Sequence, residues 1–115
     1  MAKYLFVYRG SAPSSPPSPA EIQASFQKWG EWIGKFTQSG NILDPGDGLQ
    51  MSGKVVRLNG IVSDGPYVES KEVVGGYSIV QADDYDQAVA IARECPAADE
   101  GGSVEIRQLA GYMDQ

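Results

Sequence analysis

Apolar residues recur along this chain with two different periods, and the switches between them predict its elements. Tyr4-Leu5-Phe6-Val7-Tyr8 is a short β-branched and aromatic run closed by Gly10, the composition of a strand. Alternation sends Tyr4, Phe6 and Tyr8 to one side and Leu5 and Val7 to the other, so both faces of this strand ask for cover. Residues 10–19 are rich in Ser and Pro and show no periodicity, which predicts an exposed connection. Ser18-Pro19-Ala20-Glu21 is a capping box with Pro at the first helical position. Ile22, Phe26, Trp29, Ile33 and Phe36 then follow at helical intervals and predict one buried stripe, with Trp32 at its edge. Gly40 supplies the stop.

Asn41 to Gln50, with Pro45, Gly46 and Gly48, reads as a loop. Lys54–Leu58 and Ile61–Ser63 flank Asn59-Gly60, a strong short hairpin signal. Gly76–Ala82 predicts a further strand. Asp84-Tyr85-Asp86-Gln87 predicts a second capped helix, whose apolar face is Tyr85, Ala88, Val89, Ala92 and Cys95 and which Pro96 ends. Ser103–Leu109 alternates Val104 and Ile106 inward with Glu105 and Arg107 outward, as a last strand does.

The order strand, helix, hairpin, strand, helix, strand is the split β-α-β pattern of a ferredoxin-like α+β domain with an inserted β-hairpin. Residues 1–115 form one such domain, too short for two cores. Two helices cover one face of its sheet, and the other face carries aromatics from the first strand. This predicts a homodimer paired through the sheet face that bears Tyr4, Phe6 and Tyr8.

Charge and composition narrow the function. Nine basic against fifteen acidic residues give a net charge of −6, and the basic ones are scattered, which disfavours nucleic acid as a partner. Cys95 is the single cysteine, so no intrachain disulfide forms and a reducing, cytoplasmic compartment is expected. With no histidine, zinc, haem and His-assisted nucleophiles lack their usual parts, and neither a metal nor a cofactor is expected. Asp44, Asp47 and Gly48 do not have calcium-loop spacing. Cys95 precedes Pro96 at a helix C-terminal end, where the dipole disfavours a thiolate, so it reads as a small buried hydrophobe. The run Tyr4–Tyr8 is too short to be a signal peptide or membrane span.

Ser63-Asp64-Gly65-Pro66-Tyr67-Val68-Glu69-Ser70-Lys71-Glu72, followed by Gly75-Gly76-Tyr77, holds more ionisable groups than a turn requires. The string resembles the signature of the YCII-related family, in the branch named for its Asp-Gly-Pro-Phe motif. Tyr67 stands where that branch has Phe, keeping the ring and adding a hydroxyl. The resemblance implies a ferredoxin-like subunit that pairs sheet to sheet as a dimeric α+β barrel. Some relatives are enzymatic, with a His-Asp pair proposed for acid–base work, and this chain cannot carry that pair. The branch is also similar to proteins encoded beside extracytoplasmic-function sigma factors, which implies an accessory role in a bacterial regulatory pathway.

Two readings of the motif stand side by side. In the plain one Asp64 bonds its own backbone, Gly65 takes positive φ and Pro66 fixes the chain's exit, all in the service of a turn. In the functional one Asp64 is the candidate catalytic base, or a polar anchor, at the edge of a cleft. Gly65, Pro66, Tyr67, Glu69 and Lys71 then line that cleft, with Tyr8, Arg9 and Arg57 supplying a hydroxyl and guanidinium clamps. A carboxylate serves as a base near neutral pH only where burial raises its pKa, and a nearby Lys71 lowers it and favours binding instead. The expected activity is therefore on a small polar molecule, by lyase- or isomerase-type proton transfer. The alternative is a non-catalytic module that binds a small molecule or a protein.

Overall fold

The computed structural model describes residues 1–11, 15–65 and 72–114. Its main sheet has four strands: β1 (Ala2–Ser11), β2 (Ile42–Gly48), β5 (Glu72–Ala82) and β6 (Ser103–Gln108), in the order β2-β5-β1-β6. Every pairing is antiparallel. A separate two-stranded ribbon, β3 (Gly53–Val56) with β4 (Val62–Gly65), is inserted between β2 and β5. Helices α1 (Pro19–Gln38), α2 (Tyr85–Arg93) and the single turn α3 (Pro96–Asp99) complete the domain. This is an α+β fold with the ferredoxin-like strand order and a hairpin insertion.

Helix α1 begins where the capping box predicts. The Ser18 hydroxyl accepts from the Glu21 amide, and the Glu21 carboxylate accepts from the Ser18 amide. Gly40, at φ +85°, turns the chain out after its end. Asp84 caps α2 by accepting from the Gln87 amide. The hairpin closes through a three-residue loop, Leu58–Gly60, in which Asn59 and Gly60 both take positive φ.

Four expectations give way. Asn41–Gln50 is not a loop: Ile42–Gly48 is an edge strand of the main sheet. Pro and Gly hid it because its register with β5 slips twice, between Ile42 and Asp44 and between Asp44 and Asp47. Edge strands with bulges accept residues that a central strand rejects. Pro96 does not simply end a helix; α2 stops at Arg93 and Pro96 opens α3, with Cys95 fully buried between them. On α2 it is Ala88, Ile91 and Ala92 that are buried, whereas Tyr85 is half exposed.

The third correction concerns α1. Trp32 and Phe36 are its buried residues, whereas Ile22 is 40 % and Phe26 73 % exposed. The Trp32 indole N–H donates to the Ile91 carbonyl at 3.1 Å and so ties α1 to α2. The N-terminal half of the helix overhangs the sheet, and its apolar stripe faces open space there.

The fourth correction reverses the two faces of the sheet. Tyr4 and Phe6 are buried at 1 % and 0 % exposure beneath this chain's own helices, in one core with Trp32, Phe36, Ala88 and Ile91. That face is therefore not available to a partner. Phe6 and Trp32 lie 6.4 Å apart between ring centroids, and Trp32 and Phe36 5.9 Å. The face without helices carries Leu5, Val7 and Ile79, which are half-buried, together with Glu105 and Arg107. A strand apolar on both sides does not announce which side its helices will take.

Candidate functional site

At one end of the sheet, β1 and β5 are sheared by a bulge: the register slips between Tyr8 and Arg9, leaving Gly75 unpaired with β1. Two glycines let β2 close against β5 at this end. A Cβ on Gly46, at φ +68°, would meet the Tyr77 carbonyl oxygen at 1.8 Å, and one on Gly76 would meet the Asp47 carbonyl at 2.9 Å. On the other side a Cβ on Gly102 would stand 2.4 Å from the Arg9 carbonyl, so the turn before β6 also packs directly on β1. The overhanging half of α1 roofs the gap that remains. The result is a cleft of about 750 Å³, walled by Phe26, Trp29 and Ile33 of α1, Tyr8 of β1, residues 45–48 of β2, Gly76 and Tyr77 of β5, and Ala97 and Glu100 beyond α2.

Its lining is aromatic. The rings of Tyr8 and Trp29 meet edge to face at 4.9 Å, and Trp29 stacks in the same manner on Trp32 at 5.9 Å. Tyr8 O–H donates to Ser78 Oγ at 2.7 Å, and Ser78 O–H donates in turn to the Pro45 carbonyl at 2.7 Å. This relay fastens the edge strand to the centre of the sheet at the cleft wall. Burial pushes the Tyr8 phenol well above the ordinary tyrosine range, against the opposing effect of the Ser78 hydrogen bond. At physiological pH Tyr8 is thus a neutral hydrogen-bonding group and cannot act as a phenolate.

Glu100 sits across the mouth. Its carboxylate accepts from Ser25 Oγ at 2.9 and 3.2 Å and from the Trp29 indole N–H at 3.0 Å. Both donors come from α1, so the carboxylate is fixed against the helix by neutral groups. Arg9 reaches the cleft through its strand but directs its guanidinium to Glu105 on the open sheet face, Nε to Oε1 at 3.0 Å. That hydrogen bond, more than charge attraction, holds the Glu105 carboxyl below its ordinary value.

Of the residues the sequence singled out, Tyr8 and Arg9 line the cleft. Asp64 does not. It lies on β4 opposite Lys54, with which it forms an ion pair, and its side chain is 89 % exposed. Asp64, Gly65 and Lys54 border a separate hollow of about 370 Å³ with Ser52 and Gly53, none of which offers an apolar side chain. Gly65 lies in extended strand pairing with Gly53 and is not at positive φ, the conformation expected of it. Arg57 is exposed at the hairpin's tip. Pro66, Tyr67, Glu69 and Lys71 lie outside the described residues. Among the described residues, no three acidic or cysteine side chains gather closely enough to hold a metal ion, and no helix is long and apolar enough to cross a membrane.

Sequence reasoning assigned Phe26 and Trp29 to the core stripe of α1 instead of a cleft, and gave Ser25, Ser78 and Glu100 no part in a site. One signal was present: Gly75-Gly76 inside β5 and Gly101-Gly102 just before β6 are paired glycines, which mark close approach of backbones.

The sequence model of the YCII-related domain matches residues 21–110. The chain belongs to the YCII-related family. The matched stretch begins inside α1 and ends just after β6, so it holds the roof, the glycine-tightened walls and Glu100. In this YCII-related protein β1, which supplies Tyr8, precedes the matched stretch. No curated protein matches the chain.

Proposed function

We propose that this YCII-related protein binds a small, largely apolar molecule in the cleft between α1 and the end of the sheet. The observation that carries the reading is the cleft itself. Its volume of about 750 Å³ falls in the range of small-molecule sites, and it combines aromatic walls with a few fixed polar groups. The hollow beside Asp64 is half that volume, and among the described residues no apolar side chain lines it. Acid–base chemistry at Asp64 would need a desolvated carboxylate, whereas in the subunit this one is exposed and paired with Lys54. Binding without turnover is the function the geometry supports best. The motif from Asp64 to Tyr67 supports placing the chain in the Asp-Gly-Pro-Phe branch.

We also infer that two copies pair through the open sheet face. Leu5, Val7 and Ile79 give it an apolar centre that no helix of this chain covers, and Val56, Leu58, Ile61 and Val62 of the hairpin are each more than half exposed. Light scattering of the protein and of Val7→Asp tests this: a dimer that the substitution dissociates supports the pairing, and a monomeric parent protein refutes it.

Tryptophan fluorescence tests the binding reading. Trp29 lines the cleft and Trp32 is buried beneath it, so 2-phenylethanol should perturb the emission saturably, and Trp29→Phe should remove most of the change. An unaltered response in Trp29→Phe, or no response in the parent protein, would overturn the reading.

A further inference from the structure

The charge arrangement of the cleft selects among small molecules, and this inference rests on the binding reading above. Three charged residues reach its lining: Arg9, Asp47 and Glu100. Arg9 is committed to Glu105 on the other face of the sheet. The Asp47 carboxylate accepts from the Gly48 amide at 2.8 Å, and Glu100 accepts from Ser25 and Trp29. Neither carboxylate forms an ion pair with a lysine or arginine among the described residues. Glu100 therefore brings a negative charge to an aromatic cavity from which the Arg9 guanidinium is drawn away, while Asp47, paired with Tyr77, lies toward the open face of the sheet.

The aromatic groups point the same way. Tyr8, Phe26 and Trp29 bring their rings to the lining, whereas Tyr77, paired with Val7, turns its ring to the open face of the sheet. Ring faces attract cations through their quadrupole, and indole does so most strongly. The Trp29 N–H donates to a carboxylate, which pushes electron density into the ring and strengthens that attraction. A carboxylate held at the edge of an indole, next to a second aromatic ring, is an arrangement suited to an ammonium group: the charge pairs with Glu100 while the attached carbon chain lies against Tyr8 and Trp29. An anionic ligand meets Glu100, and among the described lining residues the one cation, Arg9, is turned away to Glu105.

We propose that the cleft takes organic cations, specifically amines that carry an aryl or alkyl body, with Glu100 as the group that recognises the charge. The experiment compares three probes with one phenyl body, 2-phenylethylammonium, 2-phenylethanol and 3-phenylpropanoate, by NMR titration at neutral pH and low salt. The ammonium is expected to bind about tenfold more tightly than the alcohol, and the propanoate most weakly. Glu100→Gln keeps an oxygen to accept from Ser25 and Trp29 and removes only the charge, so it should bring the ammonium down to the affinity of the alcohol. Asp64→Asn, on the hairpin outside the cleft, should leave the ratio of the two unchanged. Circular dichroism and the Trp29 indole resonance establish that each variant is folded. Equal affinity for ammonium and alcohol in the parent protein would overturn the proposal while leaving the binding reading standing. A preference for the propanoate, or a preference for the ammonium that survives Glu100→Gln, would also overturn it. Failure of all three probes to bind would overturn both.

Discussion

Ser78→Ala isolates the relay that fixes the cleft wall. Ser78 is 1 % exposed on the central strand β5, accepts from Tyr8 and donates to the Pro45 carbonyl. Removing its hydroxyl leaves both partners without a protein hydrogen bond. A buried polar group stranded in this way costs about 1–3 kcal/mol. Tyr8 borders the cleft and can recover a water, so its share lies at the lower end of that range. The Pro45 carbonyl is an edge-strand group and recovers in part by local movement. The expected loss is about 2–3 kcal/mol, or a drop in Tm of about 8–15 °C. Tyr8→Phe is milder, about 1 kcal/mol, because Ser78 keeps its bond to Pro45. In Tyr8→Phe/Ser78→Ala no phenol is left to strand, so the combined loss should fall short of the sum by about 1 kcal/mol. Urea unfolding of the three variants completes the cycle. Strict additivity, or a Ser78→Ala loss below about 0.5 kcal/mol, would refute the relay.

Gly46→Ala should cost more than about 2 kcal/mol and release β2 from β5, because its Cβ would lie 1.8 Å from the Tyr77 carbonyl at positive φ; amide exchange at Tyr77 and Gly48 reads the release. Asp64→Asn should change stability by less than about 1 kcal/mol, since it removes one exposed ion pair with Lys54, and a larger loss in urea would show that the hairpin depends on it. Glu105 is held below its ordinary value of 4.5 by the hydrogen bond from Arg9, so the stability this gives is complete above that value and is lost as pH falls through the lower native one. Carboxyl NMR titration of the parent protein and of Arg9→Met should show the Glu105 midpoint rising in the variant, and an unchanged midpoint would contradict the assignment.

What could be read from the sequence follows what is local in the physics. The capping box at Ser18, the Asp84 cap, the Asn59-Gly60 hairpin and the Val104–Ile106 alternation each depend on neighbours in the chain, and each stands where the pattern predicts. Strand β2 was hidden because its Pro45 and Gly46 are tolerated through bulges that only the partner strand defines. The sheet's two faces were exchanged because Leu5 and Val7 are as apolar as their neighbours Tyr4 and Phe6, and only the helices break the tie. The site was the least legible part. Tyr8 and Arg9 were reached, but Glu100 looks like any loop charge until Ser25 and Trp29, seventy-odd residues away, are seen to hold it. Asp64 stood out by its surroundings in sequence, and pairing across the ribbon gives it Lys54 instead of a cavity.

The claim on which the rest depends is that small molecules enter between α1 and the end of the sheet. A two-dimensional amide NMR map of the protein titrated with 2-phenylethanol tests it most directly. The account predicts saturable shifts at the Trp29 indole N–H and at the amides of Gly46, Gly76 and Gly102, with Lys54, Asp64 and Gly65 unmoved. Shifts that gather on the hairpin around Asp64 and leave Trp29 unmoved would contradict it.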